Sequence, residues 1–195
     1  MTRLTGPKAT ATAAAAALLF SVWVARADFS QAPSAGFPLT YVDSKGDIAR
    51  PTGFREKWTH LGTWFVPNAK APGYGEHDVY TQPGVAAAYK KTGQFPDGTV
   101  LVKEIRKVRS AQMTTGQANW AGDPLVWFVM VKDQKGRFKG NAHWGNGWGW
   151  ALFKANNPSK DVSTNFQKDC IGCHVPAKNT GWVYIQGYPT LWKAP

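Results

Sequence analysis

The sequence predicts an α+β fold: a predominantly antiparallel β-sheet with a few short helices, in a single domain. Three observations carry this. Thr99–Val108 and Leu125–Lys132 are rich in β-branched and aromatic residues, as strands are. Turn-forming clusters such as Pro96-Asp97-Gly98 punctuate the strand-like runs. The helical stretches are short, Val85–Lys91 being the clearest, opened by Pro83-Gly84 and closed by Gly93.

Taken in order, Arg3 and Lys8 precede an apolar run from Ala11 to Val24, and Ala25-Arg26-Ala27 follows as a small-x-small signature. Residues 1–27 therefore read as a secretory signal peptide cut before Asp28. An uncleaved anchor is the competing reading, but the run is shorter than the ~20 apolar residues a spanning helix needs. Residues 28–57 are rich in Pro, Gly and Ser and read as an irregular N-terminal arm, with a short helix near Gly53–Trp58. The folded domain is expected over 58–195.

Trp58–Val66 reads as a strand stopped by Pro67-Asn68. Lys70–Gly75 reads as a loop, and His77–Gln82 as a short strand. After the helix and the Thr99–Val108 strand, Ser110–Asp123 is polar and reads as a loop. Leu125–Lys132 follows as a strand, Asp133–Gly136 as a hairpin turn with Arg137-Phe138 resuming the sheet, and Gly140–Gly147 as a loop with a turn at Asn146-Gly147. Trp148–Phe153 is a strand broken by Asn156-Asn157-Pro158, and Asp161 or Ser163 is expected to cap a helix running to about Cys170.

Composition narrows the function classes. The chain carries a formal charge of +11, and removing the three cations of residues 1–27 leaves +8. That balance suits docking to an acidic redox partner or an anionic membrane surface, or serves solubility alone. Nucleic acid is not expected, because the cations are scattered and no binding motif is present. Ten tryptophans suit a core or the walls of a flat macrocycle.

Cys170-Ile171-Gly172-Cys173-His174 uses the only two cysteines in the chain. The Cys-x-x-Cys-His spacing is that of a c-type haem attachment site. Each thiol can add to one porphyrin vinyl group, and the adjacent imidazole can reach the iron. A redox disulfide is the first alternative, but the motif does not open a βαβ unit. A zinc site lacks a second ligand pair. A signal peptide agrees with a cofactor of this kind, which is attached outside the cytoplasm.

On the Thr99–Val108 strand, side chains alternate between faces. Leu101, Lys103 and Ile105 share one face, and Val100, Val102, Glu104 and Arg106 the other. Lys103 thus sits between two apolar residues. Either its stem snorkels along Leu101 from a half-exposed strand, or its amine is buried, loses its proton and becomes a nucleophile, ligand or base. Of the remaining histidines, His60 reads as a satisfied core residue and His143 as an exposed loop residue; Met130 is a possible sixth iron ligand.

The run from Phe95 through Pro96-Asp97-Gly98-Thr99-Val100-Leu101-Val102-Lys103-Glu104, followed far downstream by Cys170-x-x-Cys173-His174 and an aromatic Tyr-Pro tail, resembles the cytochrome P-460 family over about Trp58 to Trp192. The resemblance implies a β-rich, homodimeric domain holding one haem c through two thioethers at Cys170 and Cys173. It implies His174 as the proximal iron ligand and Lys103 as a further covalent crosslink to the haem. Founding members oxidise hydroxylamine; the related cytochromes c′-beta lack the crosslink and bind nitric oxide.

This chain departs from the pattern where the family's distal carboxylate, aligned on Val131-Lys132-Asp133, falls on Phe128. The family's arginine, aligned on Val79-Tyr80, falls on His77. The sequence therefore leads to a periplasmic monohaem cytochrome with three competing functions. They are hydroxylamine oxidation with Lys103 and His77 as catalytic residues, nitric oxide binding in a pocket containing Phe128, and simple electron transfer to a partner such as a small c-type cytochrome.

Overall fold

A computed structural model describes residues 1–2 and 36–192; most of the expected signal peptide and the start of the arm lie outside the described residues. The core is one antiparallel sheet. Its strands are β1 (Thr59–Val66), β2 (Gly75–Thr81), β3 (Val100–Met113), β4 (Gly116–Lys132), β5 (Trp144–Gly145), β6 (Trp148–Lys154) and β7 (Asn157–Asp161). They lie in the order β1-β2-β3-β4-β6-β5, with β7 also paired to β6. The expected α+β class is the one observed.

Both faces of the sheet are covered, so its central strands carry apolar residues in both directions. On one face Val100, Val102, Trp127, Val129, Val131 and Phe153 pack against Ile48 and Phe54 of the N-terminal arm. Within that arm, α1 (Phe54–Lys57) is the short helix expected there. On the other face Leu101, Val79, Met130 and Trp148 pack against Val85 of α2 (Val85–Thr92) and against Tyr188 and Leu191 near the C-terminus. Gly93 closes α2 in the left-handed conformation, at φ 73°. The C-terminal segment approaches β1 so closely that a Cβ on Gly62 would stand 2.1 Å from the Gly187 carbonyl oxygen.

Several expectations are corrected. Ser110–Asp123 is not a loop. β3 and β4 continue as a two-stranded ribbon, pairing Arg109 with Trp120 and Met113 with Gly116. β2 pairs with β3 only as far as Arg106, and β6 begins its pairing with β4 at Val126. The ribbon therefore projects beyond the sheet with neither face buried, and polar residues fill it without disturbing its hydrogen bonds. Arg137-Phe138 does not resume the sheet, because Arg137 is drawn into ion pairs with Asp97 and Asp133. Trp144-Gly145, inside the expected loop, forms β5, and the Asn146-Gly147 turn joins it to β6 with both residues at positive φ, as a tight hairpin requires. The strand expected over Trp148–Phe153 does end before Asn156, but Pro158 goes on to form a further strand. It sits in β7, which pairs with β6 alone, where a missing N–H is tolerated.

Candidate functional site

The expected haem motif is built from two one-turn helices meeting at Cys170. Asn165 caps α3 (Phe166–Asp169), its side chain accepting from the Gln167 N–H at 2.8 Å, so neither Asp161 nor Ser163 is the cap. Asp161 instead accepts from the backbone N–H groups of Leu152 and Ser163. The Asp169 carboxylate accepts from the N–H groups of Thr164 and Asn165, which holds its pKa below the ordinary value. The helix breaks at Cys170 and restarts as α4 (Ile171–His174). Residues three and four apart on such a turn share a face. Cys170, Cys173 and His174 accordingly line one cavity, and the two thiols are not joined in a disulfide.

That cavity has a volume of about 470 Å³, within the roughly 300–1,000 Å³ of small-molecule and cofactor sites. The sheet forms the opposite wall. Leu101, Lys103 and Ile105 of β3 all face it, as two-residue alternation predicts, and Phe128 and Met130 of β4 lie beside them. Val79 and His77 of β2 extend the wall, and Trp150 of β6 closes it toward the motif. Tyr184 and Tyr188 come from the last aromatic segment, and Pro72-Gly73 forms a lip.

Lys103 does not snorkel to solvent. It is cross-strand to Phe128, and its Nζ lies 4.4 Å from the centre of that ring. Burial is the main cause that pushes its pKa down, opposed by the nearby Cys173 and Cys170. The amine is thus biased toward its neutral, nucleophilic form. Burial also dominates at Cys170, whose thiol is pushed up to about 12.

His174 is held in one tautomer. Its Nδ1 lies 2.7 Å from the Trp182 carbonyl oxygen. A carbonyl only accepts, so Nδ1 carries the proton and donates it, leaving the Nε2 lone pair free for a metal. Burial lowers the pKa of this imidazole, favouring its neutral, ligating form. Trp150 stands edge-on to it, with ring centres 4.8 Å apart.

His77 is brought to the same cavity. Its Nε2 lies 2.6 Å from the Gly73 carbonyl oxygen, so Nε2 donates and Nδ1 keeps its lone pair. Burial again pushes the pKa down. Asp78 points to the other face, accepting from the Thr63 hydroxyl at 2.7 Å. The one carboxylate on the cavity wall, among the described residues, is Asp169, which is engaged as above.

Two expectations about other histidines are corrected. His60 is exposed, 3.4 Å from Asp78, because its strand turns that face to solvent. His143 is half-buried rather than exposed, 3.6 Å from Asp161. Sequence reasoning missed Trp182, Tyr184 and Trp64. The aromatic richness of the C-terminal tail was the available signal for Tyr184, whereas Trp182 acts through its carbonyl, which has no side-chain signature.

The family model for Cytochrome P460 matches residues 51–185, a span that contains His77, Lys103, Phe128 and the whole Cys170–His174 motif. A search of curated proteins finds no match.

Proposed function

The chain belongs to the cytochrome P460 family, and from that premise we propose that it is an exported, lysine-crosslinked monohaem cytochrome that oxidises hydroxylamine. That it is a haem cytochrome follows from the family, and the residues fit the group: two unpaired thiols, one free imidazole nitrogen and an apolar cavity. Bound haem would supply a redox-active iron.

The remaining roles fall to this chain. Cys170 and Cys173 would hold the group through thioethers, each S–H adding across one vinyl group, and His174 Nε2 would ligate the iron. Lys103 would be the third residue bonded to it, an N–H and a porphyrin C–H giving way to an N–C bond with two electrons lost to an external oxidant such as peroxide. Oxidising hydroxylamine also requires removing protons, for which a base must lie near the substrate. His77 fills that role: its free Nδ1 accepts a proton, while Gly73 holds the ring through Nε2. The observation that carries the reading is the Lys103 amine, facing the same cavity as the two thiols and biased by burial toward its neutral form. The leader read from residues 1–27 supports a periplasmic protein, and the reading is completed by a homodimer passing electrons to a small c-type cytochrome.

Phe128 favours a second reading, nitric oxide binding without turnover, because a phenyl ring over the site excludes water and offers no proton relay. A peptide map by mass spectrometry separates the haem attachments. Two peptides on one haem, one containing Lys103, are expected; one peptide removes the crosslink. Hydroxylamine-dependent reduction of an artificial acceptor then tests turnover. His77→Leu should slow it by about 100-fold or more, the usual loss of a general base. A crosslinked protein without turnover leaves gas binding as the function.

A further inference from the structure

Among the described residues, only Asn146 and Trp182 adopt positive φ without being glycine. Asn146 is accounted for by its hairpin turn. Trp182, at φ 71°, directly follows Gly181 at φ 70°. Bulky side chains avoid this left-handed region, since Cβ crowds the following carbonyl. A residue held there points to a function for its backbone.

The neighbouring contacts show what holds it. The Trp182 N–H donates to the Ala177 carbonyl at 2.8 Å. The Gly181 carbonyl accepts from the indole N–H of Trp148 at 2.9 Å, and Trp148 is itself buried on β6. The Thr180 hydroxyl lies 2.7 Å from the Val183 carbonyl. Residues 177–183 are thus an arch braced to the sheet. Two consecutive left-handed residues turn its chain back, and the Trp182 carbonyl meets His174 Nδ1 at 2.7 Å.

We propose that Trp182 is a positioning residue: its left-handed backbone, braced by Trp148, aims a carbonyl at His174 Nδ1 and so sets the tautomer, orientation and donor strength of that imidazole toward the metal. A hydrogen bond at the distal nitrogen of a ligating histidine raises the basicity of the ligating one. The inference rests on His174 being the proximal ligand.

The test uses the haem-loaded protein and backbone preference as the variable. Trp182→Gly and Trp182→Asn tolerate the left-handed region; Trp182→Val does not. The readouts are the iron–histidine stretching band of the ferrous protein by resonance Raman and the midpoint reduction potential. Trp182→Val should move the band to lower wavenumber and raise the potential, while Gly and Asn stay with the parent. An unmoved Val variant overturns the proposal. So does an equal shift in all three, which would assign the effect to indole packing. If Trp182→Val does not fold, Gly181→Ala replaces it. Its Cβ would meet nothing within 4 Å, so only the backbone preference changes. The same downward shift supports the proposal, and no shift overturns it. A five-coordinate ferrous parent with no iron–histidine band would instead overturn the assignment of His174, and the proposal with it; in a six-coordinate parent the midpoint potential carries the same comparison of variants.

Discussion

Lys103 and Glu104 are adjacent on β3 and face opposite sides of the sheet, and each buries an ionisable group in a different way. Glu104 is fully buried and accepts from Arg55 Nε and Nη2 and from the Trp127 indole N–H at 2.7 Å, with the Arg106 guanidinium as a further charge at 3.9 Å. Arg50 adds a guanidinium 4.4 Å over the Trp127 ring. Lys103 faces an apolar wall, with an aromatic ring 4.4 Å from its amine and two thiols as the groups that favour its charge. The first arrangement satisfies a carboxylate and locks the arm to the sheet. The second leaves an amine facing the cavity with no carboxylate beside it. A buried ionisable group is thus held by its partners on one face and left facing a cavity on the other.

The largest effect should come from breaking the satisfied side. Glu104→Ala leaves the Trp127 N–H and Arg55 without their acceptor. It should cost about 3 kcal/mol in denaturant unfolding, the lower end for a broken buried pair, because Arg55 is 40% exposed. A loss below about 1 kcal/mol, the worth of a surface pair, would show that the two buried groups do not differ as described.

Asp97 extends the satisfied class, with Arg137 and the Gln134 N–H as donors. The hydrogen bond to Arg137 is the main reason its pKa lies below 3.8. A depressed folded-state pKa contributes stability that is present above the unfolded value and disappears as pH falls through the folded one. Asp97→Asn should therefore cost about 1.5 kcal/mol at pH 7, as for a lost hydrogen bond to a charged group. The two unfolding curves should converge as the pH drops below that of an ordinary aspartate. A gap that persists in acid would assign the loss to packing.

The smallest change in stability should come from the unsatisfied side. Lys103→Met keeps the volume and removes an amine that burial penalises, so stability should stay within about 1 kcal/mol of the parent. The chemical readout should change fully: the haem keeps its thioethers, loses the second peptide, and its absorption spectrum reverts to that of an ordinary c-type cytochrome. A large loss of stability with an unchanged spectrum would make Lys103 a structural residue like its neighbour.

The legibility of the fold follows from burial. On β3 the alternation read from Thr99–Val108 placed Leu101, Lys103 and Ile105 together, and all three line the cavity. It worked there because both faces of those strands are covered. It failed at Ser110–Asp123, where the ribbon leaves the sheet and hydrogen bonding alone, which polar residues support equally well, defines the strands. His60 misled for a related reason: its aromatic neighbours suggest a core, but its own side chain is on the solvent face.

What the sequence determined by itself is the local chemistry: two thiols and an imidazole within five residues, and an amine on an apolar row of a strand. Spacing suffices for the second, because strand geometry converts it directly into a shared face; for the first it gives the attachment motif. Only the tertiary structure decided that the C-terminal motif lies across a cavity from that strand, that the donors to Glu104 converge from the arm and from β4, and that the Trp182 carbonyl meets His174. Those contacts join distant segments, or use backbone atoms that every residue possesses, so no residue type announces them.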